Sequence, residues 1–398
     1  MLKISVLHAN MSQVFPYPSQ IVVTCFPKQS PWLAQEIEAL GFKIESQSIT
    51  EVEVNGFMDD CLKLNMFLRT AGRVLFQIRR FRAKNADELY RELSKIPWEE
   101  YFDTDDYFSI TSYVKNDTIT DDRFANLRAK DAIADRFVKK TGKRPDSGSD
   151  RDGAVIHLYW KEDKVRVYFD TSGQTIAKHG YRKIPGKAPM IESLAASAII
   201  ASNWDRKSTF VNPMCGSGTL AIEAALLATN TAPGLFRENF GFMHINGYSE
   251  DSWQGYIRLA ELQRKNQLDF KIIASDLSSS AVTAAKMNAR TADVDHLIDF
   301  QVCDFRETEI PEEPGVVMFN PEYGERLGAD KDLEEIYSAI GDFFKQQCKG
   351  YMGYVFTGNL DLAKRIGLRT KRRVEFYNAK IDSRLLEYEL YAGTRKEK

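Results

Sequence analysis

The chain has 398 residues, of which 43% are hydrophobic and 28% charged, and its formal net charge is −2. This composition excludes a largely disordered chain, and the near-neutral balance restricts any polyanion site to a local basic patch. No apolar run approaches the ~20 residues of a membrane helix, and residues 1–20 lack a signal-peptide core. The five cysteines and five histidines are scattered, without CxxC or metal-ligand spacing. We therefore expect a cytoplasmic protein of two or three domains with no metal site and no membrane partner.

Strands mixed with helices precede residues 173–189 and predict an α+β region. The strands are predicted over residues 20–25, 48–54, 74–81, 107–114, 155–160 and 164–170. The helices are predicted over residues 31–40, 58–68, 86–95 and 128–140. The polar residues 161–163 between two alternating runs predict a β-hairpin.

Strands and helices alternate regularly after this boundary and predict an α/β domain. The strands are predicted over residues 209–211, 271–275, 299–302, 315–319, 353–357, 373–378 and 385–391, and the helices over 219–228, 279–289 and 333–347. Such alternation implies a parallel sheet with helices on both faces and ligands at the carboxyl ends of the strands. A long insert, residues 230–269, carries aromatic side chains and is expected to fold.

A glycine-containing turn follows the first strand of this second part. It reads Asn212-Pro213-Met214-Cys215-Gly216-Ser217-Gly218-Thr219, and its two glycines permit positive φ and close approach of a ligand. The N-terminus of the following helix suits a carboxylate or phosphate. No Gly-Lys-Ser/Thr follows, so the turn is not a P-loop, and a purely structural turn is the alternative.

Two acids end the next two strands. Asp276, followed by Leu277, can accept both hydroxyls of a ribose, with a helix N-cap as the alternative. Asp304 can accept a hydrogen bond from an adenine amino group, with Phe305 beside the ring. A solvated loop acid is the alternative for Asp304.

The fourth strand ends in Asn320-Pro321-Glu322-Tyr323-Gly324. An exocyclic amine on a base is a poor nucleophile because its lone pair is delocalised into the ring. The Asn320 side-chain oxygen and the Pro321 carbonyl can accept its two hydrogens, and Tyr323 can stack on the extruded base. A simple Asn-Pro turn is the alternative, but four such motifs in order favour one S-adenosylmethionine site.

These motifs, with several further stretches, resemble the THUMP-containing RNA guanine-N2 methyltransferases of large-subunit ribosomal RNA. The resemblance runs from about Ile21 to Tyr391. It is carried by Gly180-Tyr181-Arg182 and by residues 116–119, 188–196, 213–219, 222–225, 232–235 and 323–327. The insert, which holds Ala232-Pro233-Gly234-Leu235 and Phe240-Gly241-Phe242, is explained as a family feature.

The resemblance implies a ferredoxin-like subdomain over residues 1–60, a THUMP RNA-binding domain over 61–171 and a class I (Rossmann-like) methyltransferase domain over 172–398. Some family members carry a second methyltransferase domain, and this chain ends before one would fit, so a single modification is expected. Asn320, Pro321 and Tyr323 would be catalytic. The S-adenosylmethionine site would comprise Asn212, Pro213, Cys215, Gly216, Ser217, Gly218, Thr219, Asp276, Leu277, Asp304, Phe305 and Asn320. We interpret Cys215 as packing near the donor and not as a nucleophile.

The sequence departs from the family pattern at two positions. Asn212 replaces the usual Asp, which removes a negative charge near the ammonium group of the donor and predicts weaker donor binding. Glu322 replaces a second Pro and frees the φ angle that Pro fixes near −65°. We expect the loop to tolerate Glu322, because the other motifs are intact.

Three basic runs are candidate RNA contacts on this near-neutral chain. The first includes Arg69 and Arg73 with Arg79, Arg80, Arg82 and Lys84; the second includes Arg136 with Lys139, Lys140, Lys143 and Arg144; the third spans residues 364–373. A solvated helix face is the alternative for each.

The sequence therefore predicts a methyltransferase that forms N2-methylguanosine in large-subunit rRNA. A tRNA guanine-N2 methyltransferase is the alternative among RNA enzymes, since THUMP domains also serve tRNA. The bare Asn-Pro-x-Tyr motif also fits an adenine-N6 DNA enzyme, against which the THUMP-like half argues. A non-catalytic RNA-binding or assembly factor of the same fold is the alternative of another class, and the oligomeric state stays open.

Overall fold

The computed structural model describes residues 11–119, 121–186, 189–322, 330–378 and 381–391. The chain divides into two compact units. The first comprises the described residues up to Cys25, Ala34–Ile176 and Arg237–Leu262, and the second comprises Phe26–Leu33, Ala177–Phe236 and the described residues from Gln263 onward. The division into three domains predicted above stays a prediction.

The first unit is built on a mixed sheet of eight described strands. They are β1 (Ser19–Thr24), β2 (Ile44–Gln47), β3 (Glu51–Gly56), β4 (Arg73–Arg82), β5 (Tyr107–Lys115), β6 (Asp146–Gly148), β7 (Ala154–Lys161) and β8 (Lys164–Asp170), in the order β2-β3-β1-β4-β8-β7-β5-β6. The pairs β5–β6 and β5–β7 are parallel and the others antiparallel. The predicted hairpin is confirmed as β7–β8, with Glu162 in its turn at φ +55°.

The early part of the chain also contributes five helices. They are α1 (Met11–Val14), α2 (Ser30–Ala39), α3 (Met58–Phe67), α4 (Ala86–Leu93) and α5 (Asp122–Thr141). Phe108 of β5 packs on Phe102 with 5.6 Å between ring centroids, and Phe102 packs on Phe137 of α5 at 5.0 Å. These contacts identify the face of the sheet that α5 covers.

In this unit, two short strands were not predicted, and two elements begin at other residues than predicted. Polar residues hide the short strands β2 and β6, which the alternation does not reveal, and β3 begins at Glu51 because Ser48 and Thr50 form the preceding turn. Helix α5 begins at Asp122, earlier than predicted, because the Asp121 side chain accepts a hydrogen bond from Arg123 N–H and caps it.

The insert is folded, as predicted. It contains α8 (Glu250–Gln263), and Trp253 of this helix packs on Phe240 and Phe242 with ring centroids 5.0 Å apart in both pairs. Phe242 N–H donates to Thr171 O at 3.0 Å, at the end of β8. Most of the insert, Arg237–Leu262, thereby belongs to the first unit.

The second unit has seven described strands. They are β9 (Phe210–Pro213), β10 (Ile272–Asp276), β11 (Ile298–Val302), β12 (Val316–Phe319), β13 (Met352–Thr357), β14 (Arg372–Asn378) and β15 (Ile381–Glu389), in the order β11-β10-β9-β12-β13-β15-β14. The first five strands of this order are parallel, as expected. Strands β14 and β15 pair antiparallel, because a short connection joins them and parallel neighbours need a longer crossover.

Helices cover both faces of this second sheet. They are α6 (Glu192–Ala201), α7 (Thr219–Ala228), α9 (Ser279–Thr291), α10 (Asp330–Gln346) and α11 (Leu360–Lys364). Alternate residues of β12 belong to two separate hydrophobic clusters. Val316 and Met318 pack with residues of α6, α7 and α9, and Val317 and Phe319 pack with residues of α10. All four residues of β12 are buried, as expected for a central parallel strand.

No helix in the described part of the chain combines the length and the apolar character needed to cross a membrane.

Candidate active site

The glycine turn that follows β9 has three residues with positive φ. Met214 and Gly216 have φ +56° and Gly218 has φ +85°. Cys215 N–H donates to Ser275 O at 2.9 Å, which ties the turn to β10. A Cβ on Gly218 would lie 2.8 Å from the Ala285 Cβ, whereas a Cβ on Gly216 would meet no described atom within 4 Å. Gly218 thus permits α7 to pack on α9, and Gly216 borders open space.

Asp276 at the end of β10 is part of this turn. Its Oδ2 accepts a hydrogen bond from Gly216 N–H at 2.9 Å, and its Oδ1 accepts one from Ser278 N–H at 2.9 Å. The N-cap of α9 is Ser278, not Asp276. Each carboxylate oxygen keeps a further lone pair, so Asp276 can still accept ribose hydroxyls. Leu277 beside it is 73% exposed.

Asp304 follows β11 and caps a short 3₁₀ helix. Its Oδ1 accepts a hydrogen bond from Arg306 N–H at 2.9 Å, and Arg306 Nε lies 3.3 Å from the same oxygen. Phe305 is buried, and its ring packs edge-on against Phe319 and Phe343 at centroid distances of 5.6 and 5.9 Å. A contact of Phe305 with a ligand stays a prediction and would involve only its small exposed edge.

Two buried asparagines complete the row of strand ends. Asn212 Nδ2 donates to Met318 O at 2.9 Å, which links β9 to β12. The side-chain oxygens of Asn212 and Asn320 are both buried, and neither has a hydrogen-bond partner among the described residues. An unpaired buried oxygen costs free energy unless a ligand supplies a donor, so these two atoms fit a site that binds amine or ammonium N–H groups.

The four strand-end motifs therefore lie on four adjacent parallel strands, β11, β10, β9 and β12. The chain order of the strands reverses between β9 and β12, and ligands in open α/β sheets bind at such a switch point. Pro213, Ser217 and Thr219 of the turn and Pro321 are buried, and Glu322 is exposed. Tyr323 lies outside the described residues.

The Cys215 thiol is buried in the turn, between β9 and α7. Burial raises its pKa, and the neighbouring Asp276 carboxylate raises it further. The thiol is therefore protonated at neutral pH and is a poor nucleophile. This supports the interpretation of Cys215 as a packing residue.

Asn288, which was not among the predicted site residues, fixes the position of the turn. Asn288 is fully buried on α9, and its Oδ1 accepts hydrogen bonds from Lys183 N–H and Ile184 N–H at 2.9 and 3.0 Å. Its Nδ2 donates to Ile184 O and Ser217 O at 2.9 and 3.2 Å. Only the long-range contacts reveal this role, because an asparagine in a helix carries no local signal.

Arg182 also acts on the turn, although it was expected to matter only as part of the motif that carries the family resemblance. Its Nη2 donates to Met190 O at 2.6 Å and to Thr219 Oγ1 at 2.9 Å, and lies 3.6 Å from the Glu192 carboxylate. Burial raises the pKa of Glu192, and Arg182 opposes that rise. Arg182 therefore holds the start of α7 beside the segment that leads into α6.

The contacts of the three basic runs separate residues that form structural ion pairs from the remaining candidates for RNA contact. Arg73 pairs with the buried Asp170, and Arg136 donates to both oxygens of Glu99 at 2.6 and 2.7 Å, so these two are structural. The third run forms several ion pairs with acids, including those of Arg365 with Glu334 and of Arg372 with Glu387.

Arg69 is buried, and the remaining basic candidates are exposed. Lys139, Lys140, Lys143 and Arg144 lie at and just beyond the end of α5. A bulge in β4 lies between Gln77 and Arg79, and the pairing is regular beyond it: Arg79 is opposite the buried Val167, Arg80 opposite Arg166 and Arg82 opposite Lys164. Arg80 and Arg82 thus share one face of the sheet and Arg79 lies on the other.

No group of three or more His, Cys, Asp or Glu residues within the described ranges is placed to hold a metal ion.

Three family models match the chain. An RMKL-like methyltransferase domain matches residues 179–387, a THUMP domain residues 83–170, and an RlmL ferredoxin-like domain residues 20–75. The "Ribosomal RNA large subunit methyltransferase K/L" of Psychromonas ingrahamii is 36% identical over 91% of this chain and 49% of its own length. The protein slr0064 of Synechocystis sp. is 32% identical over 90% of this chain and 93% of its own length. The chain spans about half the length of the K/L relatives.

Several solved structures share the fold over nearly the whole chain. SMU.472 in complex with SAH has a TM-score of 0.84 and 25% identity, covering 96% of this chain and 100% of its own. A Listeria monocytogenes protein, described as a predicted N6-adenine-specific DNA methylase, has a TM-score of 0.86 and 27% identity, covering 98% and 100%.

The matches confirm the fold class, which is a ferredoxin-like and THUMP α+β region followed by a Rossmann-like methyltransferase domain. The RMKL-like model alone covers more than half of the chain. The chain therefore belongs to the family of RMKL-like methyltransferases that carry a THUMP domain.

Proposed function

We propose that this protein is an S-adenosylmethionine-dependent RNA methyltransferase that forms N2-methylguanosine in large-subunit ribosomal RNA. The family match supports methyl transfer, the THUMP match supports an RNA substrate, and the names of the K/L relatives support large-subunit rRNA. The observation that carries the proposal is the Asn320 Oδ1 at the end of β12, which is buried and has no hydrogen-bond partner among the described residues. We place the activity in the cytoplasm, in keeping with five free cysteines.

The strand ends provide the groups that a methyl donor requires. SMU.472, which shares this fold, was solved with SAH. In this chain, the open space beside Gly216 can admit the donor, the Asp276 carboxylate can accept its ribose hydroxyls, and Asn212 Oδ1 can accept from its ammonium group. When bound, S-adenosylmethionine supplies an electrophilic methyl group.

Asn320 and Pro321 would orient the guanine amine. Their oxygens would accept its two N–H groups, which directs the nitrogen lone pair away from the ring. Asn320 Oδ1 is suited to this because it lacks another partner among the described side chains and backbone groups. Tyr323 would stack on the extruded base, which offsets part of the cost of flipping. The methylated amine is acidic, so it can release its proton to water.

The proposal is tested by nucleoside mass spectrometry on separated large rRNA, small rRNA, tRNA and genomic DNA. Cells that lack the gene are compared with cells that carry the wild-type or the Asn320→Ala gene. We expect one N2-methylguanosine to disappear from large rRNA, to return with the wild-type gene, and not to return with Asn320→Ala at equal protein level. Loss from tRNA alone would replace the rRNA assignment with tRNA, and loss of N6-methyladenine from DNA would overturn the RNA proposal.

A non-catalytic RNA-binding factor is the second candidate, and Glu322 is the observation that favours it. The resembled family has Pro at this position, and Glu322 is an exposed residue with free φ. If no modified nucleoside disappears, methyl transfer by Glu322→Pro together with SAH binding by the wild-type protein would identify Glu322 as the cause.

A further inference from the structure

Two rows of side chains line the face of the first sheet that lies opposite α5. One row runs across β4, β8, β7 and β5, and we name it the tyrosine row: Arg80, Arg166, Tyr159 and Tyr113. The second, two residues away along each strand, is the lysine row: Arg82, Lys164, Lys161 and Lys115. The row between them includes Val165 and Trp160, which are buried, so the two named rows point away from the helix-covered face.

The two rows contain six cations, two tyrosines and no acid. Lys115, Lys161 and Lys164 are exposed, and none of the three forms an ion pair with another described residue. Arg82 pairs with Asp163 at 3.2 Å and Arg166 with Glu53 at 3.4 Å, and both arginines keep exposed surface. On a chain of net charge −2, this is a local concentration of positive charge.

The two tyrosines form an aromatic surface beside this charge. The rings of Tyr113 and Tyr159 are stacked, with centroids 5.3 Å apart and planes 16° apart, and Tyr113 is 46% exposed. The Arg166 guanidinium carbon lies 6.0 Å from the Tyr159 ring. Exposed aromatic rings on a basic sheet face are what unpaired nucleic-acid bases stack on.

We propose that this face binds single-stranded RNA, with bases stacked on the Tyr113–Tyr159 pair and phosphates held by the lysine row. The rows are about 7 Å apart, because residues two positions apart in a strand are separated by that distance. A strand whose bases lie on the tyrosine row therefore places its backbone beside the lysine row. Duplex RNA does not fit, because its bases are stacked on one another and do not reach an aromatic surface. The proposal rests on the proposed function in taking RNA as the substrate class.

The tyrosine row is tested by fluorescence anisotropy with the full chain and a labelled ten-nucleotide single strand. The same strand in a duplex is the comparison probe. The Tyr113→Ala/Tyr159→Ala variant should bind the single strand about 5- to 150-fold more weakly for each base that stacks. The Tyr113→Phe/Tyr159→Phe variant, which keeps the rings, should bind within about twofold of wild type. Circular dichroism and SAH binding establish that the variants are folded.

The lysine row is tested through the salt dependence of binding. Each phosphate contact with a single strand contributes about 0.7 to the slope of log K against log salt. Replacing Lys115, Lys161 and Lys164 with alanine should therefore make the slope shallower by about 2. The matched control replaces Lys207, Lys345 and Lys349, three exposed lysines of the second unit, and should leave the slope unchanged.

These outcomes separate the proposal from the proposed function. Unchanged single-strand binding in the tyrosine-to-alanine variant, or wild-type binding of the duplex as tight as that of the single strand, would overturn the binding face. Neither measurement depends on methyl transfer, so a negative nucleoside analysis leaves the binding result intact. Photo-crosslinking of 4-thiouridine RNA to peptides that contain Tyr113 or Tyr159 would support the face directly, and crosslinks confined to α5 would contradict it.

Discussion

Replacing Gly218 with alanine should destabilise the second unit through two separable costs. Gly218 has φ +85°, and an alanine in the left-handed region loses about 1–2 kcal/mol. Its Cβ would also lie 2.8 Å from the Ala285 Cβ and 3.2 Å from the Ala285 Cα, and overpacking of this kind costs about 1–3 kcal/mol. We expect the free energy of unfolding to fall by roughly 2–5 kcal/mol in total.

Gly216→Ala is the matched control, because it carries the backbone cost without the clash. Gly216 has φ +56°, and a Cβ there meets no described atom within 4 Å. Its unfolding free energy should fall by only about 1–2 kcal/mol. SAH affinity should nevertheless fall at least about tenfold, because the methyl group occupies the open space that we assign to the donor.

The clash itself can be removed by Ala285→Gly. This substitution in α9 costs about 1 kcal/mol by itself, because glycine is a poor helix former. In the double variant Gly218→Ala/Ala285→Gly, the atom at 2.8 Å is gone. The double variant should therefore lose less unfolding free energy than the two single variants together, by about 1 kcal/mol or more.

Urea unfolding of the wild-type protein and the four variants, followed by tryptophan fluorescence and circular dichroism, gives these free energies, and calorimetry gives the SAH affinities. The reasoning would be refuted if Gly218→Ala were no less stable than Gly216→Ala. Additive losses of unfolding free energy in the double-mutant cycle would also contradict the predicted clash. They would mean that α7 and α9 move apart to admit the added methyl group at no cost.

Three further predictions concern single side chains. Asn288→Ala should lower the unfolding free energy by roughly 3 kcal/mol in the same urea experiment, because it leaves buried partners of the Ser217 turn unpaired. Asn288→Asp should lose at least as much, because it buries a carboxylate oxygen against the Ile184 and Ser217 carbonyl oxygens. Asn212→Asp should bind SAH about tenfold more tightly by calorimetry, and equal affinities would contradict this. The same variant should melt at a lower temperature, because the hydrogen bond that Asn212 Nδ2 donates to Met318 O is lost. Burial lowers the pKa of His157 to about 4, with Arg73 and Arg151 adding to the effect. The folded protein therefore keeps His157 neutral. The contribution of His157 to stability is complete above about pH 6.5 and is lost as the pH falls toward 4. A His157 titration near pH 6.5 in the histidine NMR spectrum, assigned with His157→Gln, would contradict this prediction.

The sequence determined most of the elements because their signals are local. Helix α7 follows the glycine turn with the predicted bounds, since Gly218 takes the positive φ that only glycine adopts readily. The alternation in β7 and β8 predicted their hairpin, because the side chains of a strand point to opposite faces in turn. The order of strands and helices likewise predicted that the acids and amides at the strand ends would share one edge of a parallel sheet.

Local sequence signals did not predict strands formed by polar residues, and they did not predict a helix N-terminus that is determined by its capping residue. Strand β2 is largely exposed, so its sequence has no apolar alternation to detect. Helix α5 starts before its apolar periodicity does, because the Asp121 cap determines its first turn. These features depend on hydrogen bonds that composition does not display.

Only the tertiary structure decided which residues cooperate across long separations in sequence. Asn288 contacts Ser217 and Ile184, and the rows that include Tyr113, Tyr159 and Arg80 form only when four strands pair in register. Strand pairing sets such neighbours, and a shift of one residue would turn each side chain to the other face of the sheet. The sequence thus determined the type of chemistry at each strand end, and the register of the sheets determined which side chains share a surface.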